Sequence, residues 1–287
     1  MKKFKIKSYC KINLTLKVLK KLNNGYHKIN SLITFCDLHD EIVIRKLNGF
    51  NDKINFTGKF KKSIKKRSNT ITKILNILRS KKILKNHYFE INIKKNIPHG
   101  SGLGGGSVNA AVLLNFLNFK MRLKLNKKSM YQIAKKVGFD TPIGLNRKNT
   151  FLFGKNNKII RLNNKFNLNI LIVYPNIVSS TKKIYLKNKK FSKYKNLPSF
   201  NTIRKKKLVN FLKKENNDLE EAVVKKYPKI KEVINYINLQ KGCYFSRITG
   251  SGSAIIGIFR DANSAIYAKK LIKLKFPKYW SIVSKTI

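Results

Sequence analysis

The chain is poor in acid, with 12 Asp+Glu against 64 Lys+Arg in 287 residues, and locally the deficit is complete: residues 91–139 contain no carboxylate. That stretch cannot supply the acidic ribose contact that a dinucleotide-binding turn places about 20 residues beyond its glycines. Cysteine is scarce too. Cys10, Cys36 and Cys243 are odd in number, far apart and free of CxxC or Cys/His ligand spacing, so neither a disulfide framework nor a zinc site is expected, and a reducing compartment is. His39, His87 and His99 share no ligand spacing either, and no metal site is expected in the protein itself. No apolar run approaches membrane-spanning length. The start MKKFKIKSYCKINL alternates polar and apolar residues, where a signal peptide would carry an unbroken apolar stretch; a cytoplasmic protein with no membrane partner is the expectation.

What is abundant is lysine, for a formal charge of +52. Such a charge ordinarily suggests a polyanionic partner. Here the basic residues are spread over nearly every segment, Asn replaces Asp at polar positions, and Ile dominates the apolar ones, a coupling that follows from A/T-rich codons. The charge therefore reads as a solvated surface, with no specific nucleic-acid partner expected. At 42% hydrophobic residues, the chain can fill the cores of one large or two ordinary domains.

Phe4, Ile6, Ser8, Cys10, Ile12, Leu14, Leu16 and Val18 occupy alternate positions, the period of a long strand with one buried face; Lys7, Tyr9, Lys11, Asn13 and Thr15 then share the other. Asn23-Asn24-Gly25 is a turn signal, followed by Tyr26 and His27. Further strands are expected over 29–35, 41–45 and around Phe89, Ile91 and Ile93, with helices over 69–84, about 127–137, about 216–238 and about 262–274. From Thr150 short strands are expected at 150–153, 159–162, 170–173 and 254–259. Residues 186–206 read as an exposed connection, and a domain boundary is expected near residue 155, giving domains 1–155 and 156–287.

Ile97-Pro98-His99-Gly100-Ser101-Gly102-Leu103-Gly104-Gly105-Gly106-Ser107 joins a strand to a helix, with five glycines in the seven residues 100–106. Residues without Cβ let consecutive N–H groups converge on an anion, and a helix N-terminus adds unsatisfied donors and the positive end of its dipole. No Gly-Lys-Ser/Thr closes the turn, so it is not a Walker A loop. Between Glu90 and Glu215 the one acidic residue is Asp140, in Gly138-Phe139-Asp140-Thr141-Pro142. On local grammar it is equally a helix cap. In a phosphate site built from Gly, Ser and Lys it is also the group able to orient and deprotonate an attacking hydroxyl.

The glycine turn, Ser8-Tyr9-Cys10-Lys11-Ile12-Asn13-Leu14 and Thr249-Gly250-Ser251-Gly252-Ser253 resemble the three motifs of the GHMP kinase superfamily (galactokinase, homoserine kinase, mevalonate kinase, phosphomevalonate kinase). Asn24-Gly25-Tyr26-His27, Phe35-Cys36-Asp37-Leu38-His39-Asp40, Gly138 to Pro142, Tyr174-Pro175-Asn176 and Asn217-Asp218-Leu219-Glu220 are most similar to its branch of 4-diphosphocytidyl-2-C-methyl-D-erythritol kinases, over essentially the whole chain. Val108 and Ile33 depart from common members of that branch.

The resemblance implies an α+β, two-domain GHMP-kinase fold: an N-terminal nucleotide-binding domain and a C-terminal ferredoxin-like, substrate-binding domain, with the active site in the cleft between them. It implies transfer of the γ-phosphoryl of ATP, with Mg2+ brought in on the nucleotide, to the 2-hydroxyl of the cytidyl substrate, in a monomer or homodimer. Asp140 and Lys11 would be catalytic. Pro98, His99, Gly100, Ser101, Gly102, Leu103, Gly104, Gly105, Gly106 and Ser107 would hold ATP, with Asn69 and Lys95 near its nucleoside. Asn13, Tyr26, His27, Tyr185, Gly250, Ser251 and Gly252 would bind the substrate.

Overall fold

The structure, a computed structural model, describes residues 2–23, 25–62, 64, 68–153, 158–193 and 199–287. Along the chain run β1 (Lys3–Asn13), β2 (Lys17–Lys21), β3 (His27–Leu47), β4 (Lys53–Thr57), α1 (Thr70–Ser80), β5 (Tyr88–Lys94), α2 (Gly105–Lys120) and α3 (Lys127–Val137). A 3-10 turn, Thr141–Leu145, leads to β6 (Thr150–Phe153), β7 (Lys158–Arg161), β8 (Asn169–Tyr174), α4 (Thr181–Lys187), α5 (Lys205–Lys214), α6 (Glu220–Lys226) and α7 (Lys229–Asn238). The chain closes with β9 (Cys243–Ile248), β10 (Ile255–Phe259), α8 (Ala262–Lys275) and β11 (Trp280–Lys285). No described helix is long and apolar enough to cross a membrane.

Two compact units emerge, and each draws on several chain segments. One comprises Met1–Lys11, Leu38–His99 and Gly104–Arg147; the other comprises Ile12–Asp37, Gly100–Leu103 and Lys148–Ile287. Asn24 of the turn signal and the boundary expected near residue 155 fall outside the described residues, as do 194–198 of the expected connection.

In the first unit, residues 41–47 of β3 pair antiparallel with β5, and β5 pairs parallel with β4. Helix α1 presents Ile71, Ile74, Leu75 and Leu78 along one buried stripe, each contributing roughly 1.5–3 kcal/mol by leaving water. Asn69 caps it, its side chain accepting from the N–H groups of Ile71 and Thr72. Helix α2 buries Val108, Ala110, Ala111, Leu113, Leu114 and Leu117, residues spread around much of its circumference, as expected of a helix inside a domain rather than on it. Gly144 lets the 3-10 turn approach α2 closely, since a Cβ there would lie 2.9 Å from that of Ala111.

In the second unit, a four-stranded antiparallel sheet has the order β11-β8-β10-β9, the arrangement of a ferredoxin-like domain. Its core gathers Leu171, Val173, Ile255 and Phe259 from the sheet with Val233, Ile237, Ala268 and Ile272 from α7 and α8.

Several elements differ from their local pattern. The expected strand through Val18 divides into β1 and β2, because Leu14 and Thr15 both donate to the carbonyl of Leu32 and turn the chain there. Its second face is exposed at Lys3, Lys5 and Lys7 but becomes covered farther on: from Cys10 to Asn13 every residue is buried. The strands expected at 29–35 and 41–45 are one, β3. Pro228, lacking an N–H, divides the expected 216–238 helix into α6 and α7. Strand β11 carries its apolar residues at half-buried positions, a weak alternation that the sequence reading passed over.

Candidate active site

In the first unit the glycine turn, Lys11 and Asp140 meet. Gly104, at φ 69°, occupies the N-cap of α2 with no side-chain cap, so the first N–H groups of that helix are left to an incoming acceptor. A Cβ on Gly104 would lie 2.5 Å from Cγ and 2.9 Å from Cε of Lys11. Glycine is thus required twice here, for the left-handed backbone and for the lysine beneath it. The Lys11 ammonium, itself buried, stands 3.2 Å from a carboxylate oxygen of Asp140. Asp140 makes no side-chain capping bond to the 3-10 turn; the cap alternative is set aside, and its carboxylate is 45% exposed. Thr70 steadies the same stretch by donating to the carbonyl of Gly106 at 2.7 Å.

Below this lies a buried polar knot. Asp40, fully inaccessible, accepts from the Lys95 ammonium, from the backbone N–H of Asn96 at 2.8 Å and Ile97 at 2.9 Å, and from Nδ2 of Asn109 at 3.0 Å. A Cβ on Gly105 would come 3.3 Å from Nζ of Lys95 and 3.0 Å from Ile97. The structure thus places Lys95 under the start of α2, with its charge held by Asp40. His99 is held below the ordinary histidine range by burial and then by the nearby charge of Lys95.

The second unit contains the first part of the glycine turn, locked to the later one. A Cβ on Gly102 would fall 2.1 Å from the carbonyl oxygen of Thr249, and one on Gly252 would fall 1.9 Å from the carbonyl carbon of Ser101. No side chain fits at either position. The interlock is hydrogen bonded: Ala254 donates to Ser101 and Ser179 to Gly100, both at 3.0 Å between backbone atoms, while the Ser179 hydroxyl donates to the carbonyl of Ser251 at 2.9 Å. The hydroxyls of Ser251 and Thr181 are 2.9 Å apart.

Asn13 joins this arrangement. Its N–H donates to Oγ1 of Thr249 at 2.9 Å and its Nδ2 to Oγ of Ser31 at 2.7 Å. Elsewhere in the unit the rings of His27 and Tyr185 lie 4.9 Å apart at 34°, and Tyr26 is half-exposed. His27 is held below its ordinary value by burial and then by the charge of Lys21.

The residues expected from sequence therefore gather into three groups: Lys11, Asp140 and Gly104 to Ser107 with Lys95 beneath; Gly100 to Leu103 with Asn13 and Gly250 to Gly252; and His27 with Tyr185. Asn69 serves as a helix cap. Asp40, Asn109, Ser31 and Thr249 were not foreseen as supporting groups. For Asp40 a signal existed, an acid at the buried phase of a period-2 strand, which requires a buried partner. Among the described residues no group of three or more His, Cys, Asp or Glu could hold a metal ion.

The GHMP kinases N terminal domain matches residues 69–146 and the GHMP kinases C terminal domain matches residues 200–271. The chain is 43% identical to the 4-diphosphocytidyl-2-C-methyl-D-erythritol kinase of Pelagibacter ubique, covering 100% of both chains. It is 33% identical to that of Caldanaerobacter subterraneus, covering 99% of this chain and 97% of the relative. Among solved structures, a 4-(cytidine 5'-diphospho)-2C-methyl-D-erythritol kinase superposes with a TM-score of 0.76 at 22% identity, covering 98% and 99% of the two chains. A homoserine kinase from Cytophaga hutchinsonii reaches a TM-score of 0.71 at 17% identity, covering 100% and 95%; these two show the shared fold. With full-length identity of this order and both family domains matched, the chain belongs to the GHMP kinases, in the 4-diphosphocytidyl-2-C-methyl-D-erythritol kinase branch.

Proposed function

We propose that the protein transfers the γ-phosphoryl group of ATP to the 2-hydroxyl of 4-diphosphocytidyl-2-C-methyl-D-erythritol, giving the 2-phosphate and ADP, a step of non-mevalonate isoprenoid precursor synthesis. The observation that carries the chemistry is the placement of one lysine, Lys11, against loop residue Gly104 and on the carboxylate of Asp140 at the same time. The acceptor is carried by the full-length similarity to kinases of that name.

In this reading the N–H groups at the start of α2, from Gly105 to Ser107, grip the phosphates, with Gly100 to Gly104 shaping the approach. Pro98, His99, Asn69 and Lys95 complete the nucleotide side. Asp140 aligns the hydroxyl and takes its proton as the oxygen attacks the γ-phosphorus. The bond from that phosphorus to the β-phosphate bridging oxygen breaks, and ADP leaves. Because the transition state is loose, alignment and charge stabilisation matter more than the basicity of Asp140. Lys11 holds the carboxylate in place and polarises the acceptor oxygen. Asn13 orients the methylerythritol end; Tyr26, His27 and Tyr185 take the cytosine, by stacking and by hydrogen bonds at the imidazole edge. Gly250, Ser251 and Gly252 shape the pocket. The division of labour is that of nucleotide loop in 1–155 and substrate contacts in 156–287, joined by Asn13, Tyr26 and His27.

Mg2+ fits as a companion of ATP. Asp40 is consumed by four donors, and among the described residues no group of three or more His, Cys, Asp or Glu could hold a metal, so the ion would be held chiefly by phosphate oxygens, where it would neutralise their charge. The partner is this small-molecule acceptor, without nucleic acid or membrane, in a cytoplasmic monomer or homodimer. The test is an ADP-release assay on the purified protein with the cytidyl substrate, mevalonate and homoserine side by side. Turnover of the cytidyl compound alone is expected; robust turnover of either alternative without it would overturn the acceptor assignment.

A further inference from the structure

We infer that Asn217 is a positioning residue whose carboxamide sets the peptide plane after Gly250, and through it the form of the turn offered to the acceptor substrate. The inference rests on the reading of Gly250-Ser251-Gly252 as part of the substrate pocket and deepens it.

Locally, position 217 needs only an acceptor. Oδ1 of Asn217 takes the N–H of Leu219 at 3.1 Å, a short side-chain turn ahead of α6 that Asp or Ser makes as readily. The other end of the side chain narrows the choice. Nδ2 donates to the carbonyl of Gly250 at 2.8 Å and to that of Ile248 at 3.2 Å. Carbonyl oxygens only accept, so two hydrogens are required at that point, and the amide supplies both while its oxygen serves Leu219. A carboxylate would set lone pairs against both carbonyls; a serine has one hydrogen and less reach. Asn217 is 4% exposed, so water is a poor substitute partner.

The amide acts from a fixed base. Leu16 donates to the carbonyl of Asn216 at 3.2 Å, Asp218 donates back to the carbonyl of Leu16 at 2.8 Å, and the Asp218 carboxylate accepts the N–H of Val18 at 2.8 Å. From there Asn217 grips the two carbonyls that flank Thr249, the residue whose hydroxyl takes the N–H of Asn13. Gly250 itself stands at φ 60°, a backbone shape that glycine tolerates and does not enforce. In a trans, planar peptide the C=O and N–H point in opposite directions, so holding the carbonyl of Gly250 fixes the direction of the Ser251 N–H. The next carbonyl, of Ser251, is held by the hydroxyl of Ser179. Successive peptides of a glycine turn are thus pinned by side chains from separate segments, and Asn217 supplies the first pin.

The test compares Asn217→Ser, Asn217→Asp and Gly250→Ala with the wild type in the ADP-release assay, at a temperature below the thermal melt of every variant. Both Asn217 variants keep the local acceptor and lose the paired donors. Each is expected to raise KM for the cytidyl substrate about tenfold, the equivalent of one net hydrogen bond. KM for ATP should stay within about threefold, since the start of α2 is untouched. Asn217→Asp should carry a further signature, because a protonated carboxyl can donate once and burial favours that form. The ratio of its KM to the wild-type value should fall about threefold between about pH 8 and pH 6, while the ratio for Asn217→Ser stays flat. Gly250→Ala, whose methyl would meet Oδ1 of Asn13 and the carbonyl oxygen of Gly102 at 3.2 Å, checks the turn itself. Wild-type KM in both Asn217 variants beside a raised KM in Gly250→Ala would overturn the inference alone. Equal rises in KM for both substrates, or the same pH profile in the two Asn217 variants, would overturn it as well. An unchanged KM in Gly250→Ala would sink the reading of the turn, and the inference with it. Should Asn217→Asp fail to fold, the split between the two KM values in Asn217→Ser decides.

Discussion

Lys11 and Asp140 meet with the ammonium buried and the carboxylate 45% exposed, whereas Lys95 and Asp40 are 3% and 0% exposed. Both are lysine–aspartate pairs of the same unit, and both adjoin the glycine turn. Their surroundings separate them. Asp40 receives two backbone N–H groups and an amide in addition to the lysine, so its oxygens are spent on holding the strand-to-loop corner against α2. Asp140 opens to the outside with Lys11 on one oxygen and leaves room for an alcohol. Pairing with lysine is thus common to both carboxylates and cannot tell them apart; the acceptor capacity left over after pairing is what fits Asp140, and not Asp40, to the reactive role proposed for it.

The sharpest way to break this comparison is Asp140→Asn. We expect kcat to fall by about 10⁴-fold, the upper end of what a positioned base supplies, with ATP affinity almost unchanged by equilibrium binding. Its melting temperature should barely move, because a partly exposed ion pair contributes about 0–1 kcal/mol. Near-normal turnover would remove Asp140 from the mechanism. The structural partner should behave in the opposite manner. Asp40→Ala strands a buried ammonium and two backbone donors, and urea denaturation should show a loss of about 4 kcal/mol. A fully stable Asp40→Ala protein with impaired turnover would reverse the roles assigned to the two pairs.

Gly104→Ala probes the contact between loop and pair. The added methyl would meet the Lys11 stem at 2.5 Å on a left-handed backbone, displacing the ammonium from Asp140. A fall in kcat of about 10–100-fold and a stability loss of about 1–3 kcal/mol are expected; unchanged kinetics would show that Lys11 need not be held there. The smallest effect concerns His27, in the other unit. Its value in the fold lies below the ordinary 6.5, through burial and the charge of Lys21. The stability linked to its neutral form is fully present above about pH 6.5 and is lost as pH falls toward the lowered value. A rise of about twofold to fivefold in KM for the cytidyl substrate is expected between about pH 7.5 and pH 5.5, and it should vanish in His27→Gln. A pH slope that survives that substitution would assign the titration to another group.

Much of this molecule was legible along the chain. The stripes of α1 and α3 mark their helices to within a few residues, and the glycine run joins a strand to an apolar helix as its neighbours indicate. Asp140 stands out because it is alone. That the second face of β1 is covered from Lys11 onward is not legible in the same way, since period-2 patterning reports alternation and cannot tell whether both sides will be buried. Nor does local pattern reveal that Lys95, given a nucleotide-side role by the resemblance, is paired with an aspartate 55 positions away.

By itself, then, the sequence determined the class of chemistry: a residue type confined by sterics to tight anion-gripping turns, and one carboxylate in a long basic stretch. Only the tertiary structure decided that Lys95 is held by the buried carboxylate of Asp40. It also decided why Gly102 and Gly252 admit no side chain. Each of these depends on contacts between segments far apart in the sequence, like the 2.9 Å bond from the N–H of Asn13 to Oγ1 of Thr249, 236 residues away. Patterns of period 2 or 3.6 carry no information on such encounters, because which distant segment arrives is settled by the packing of whole elements.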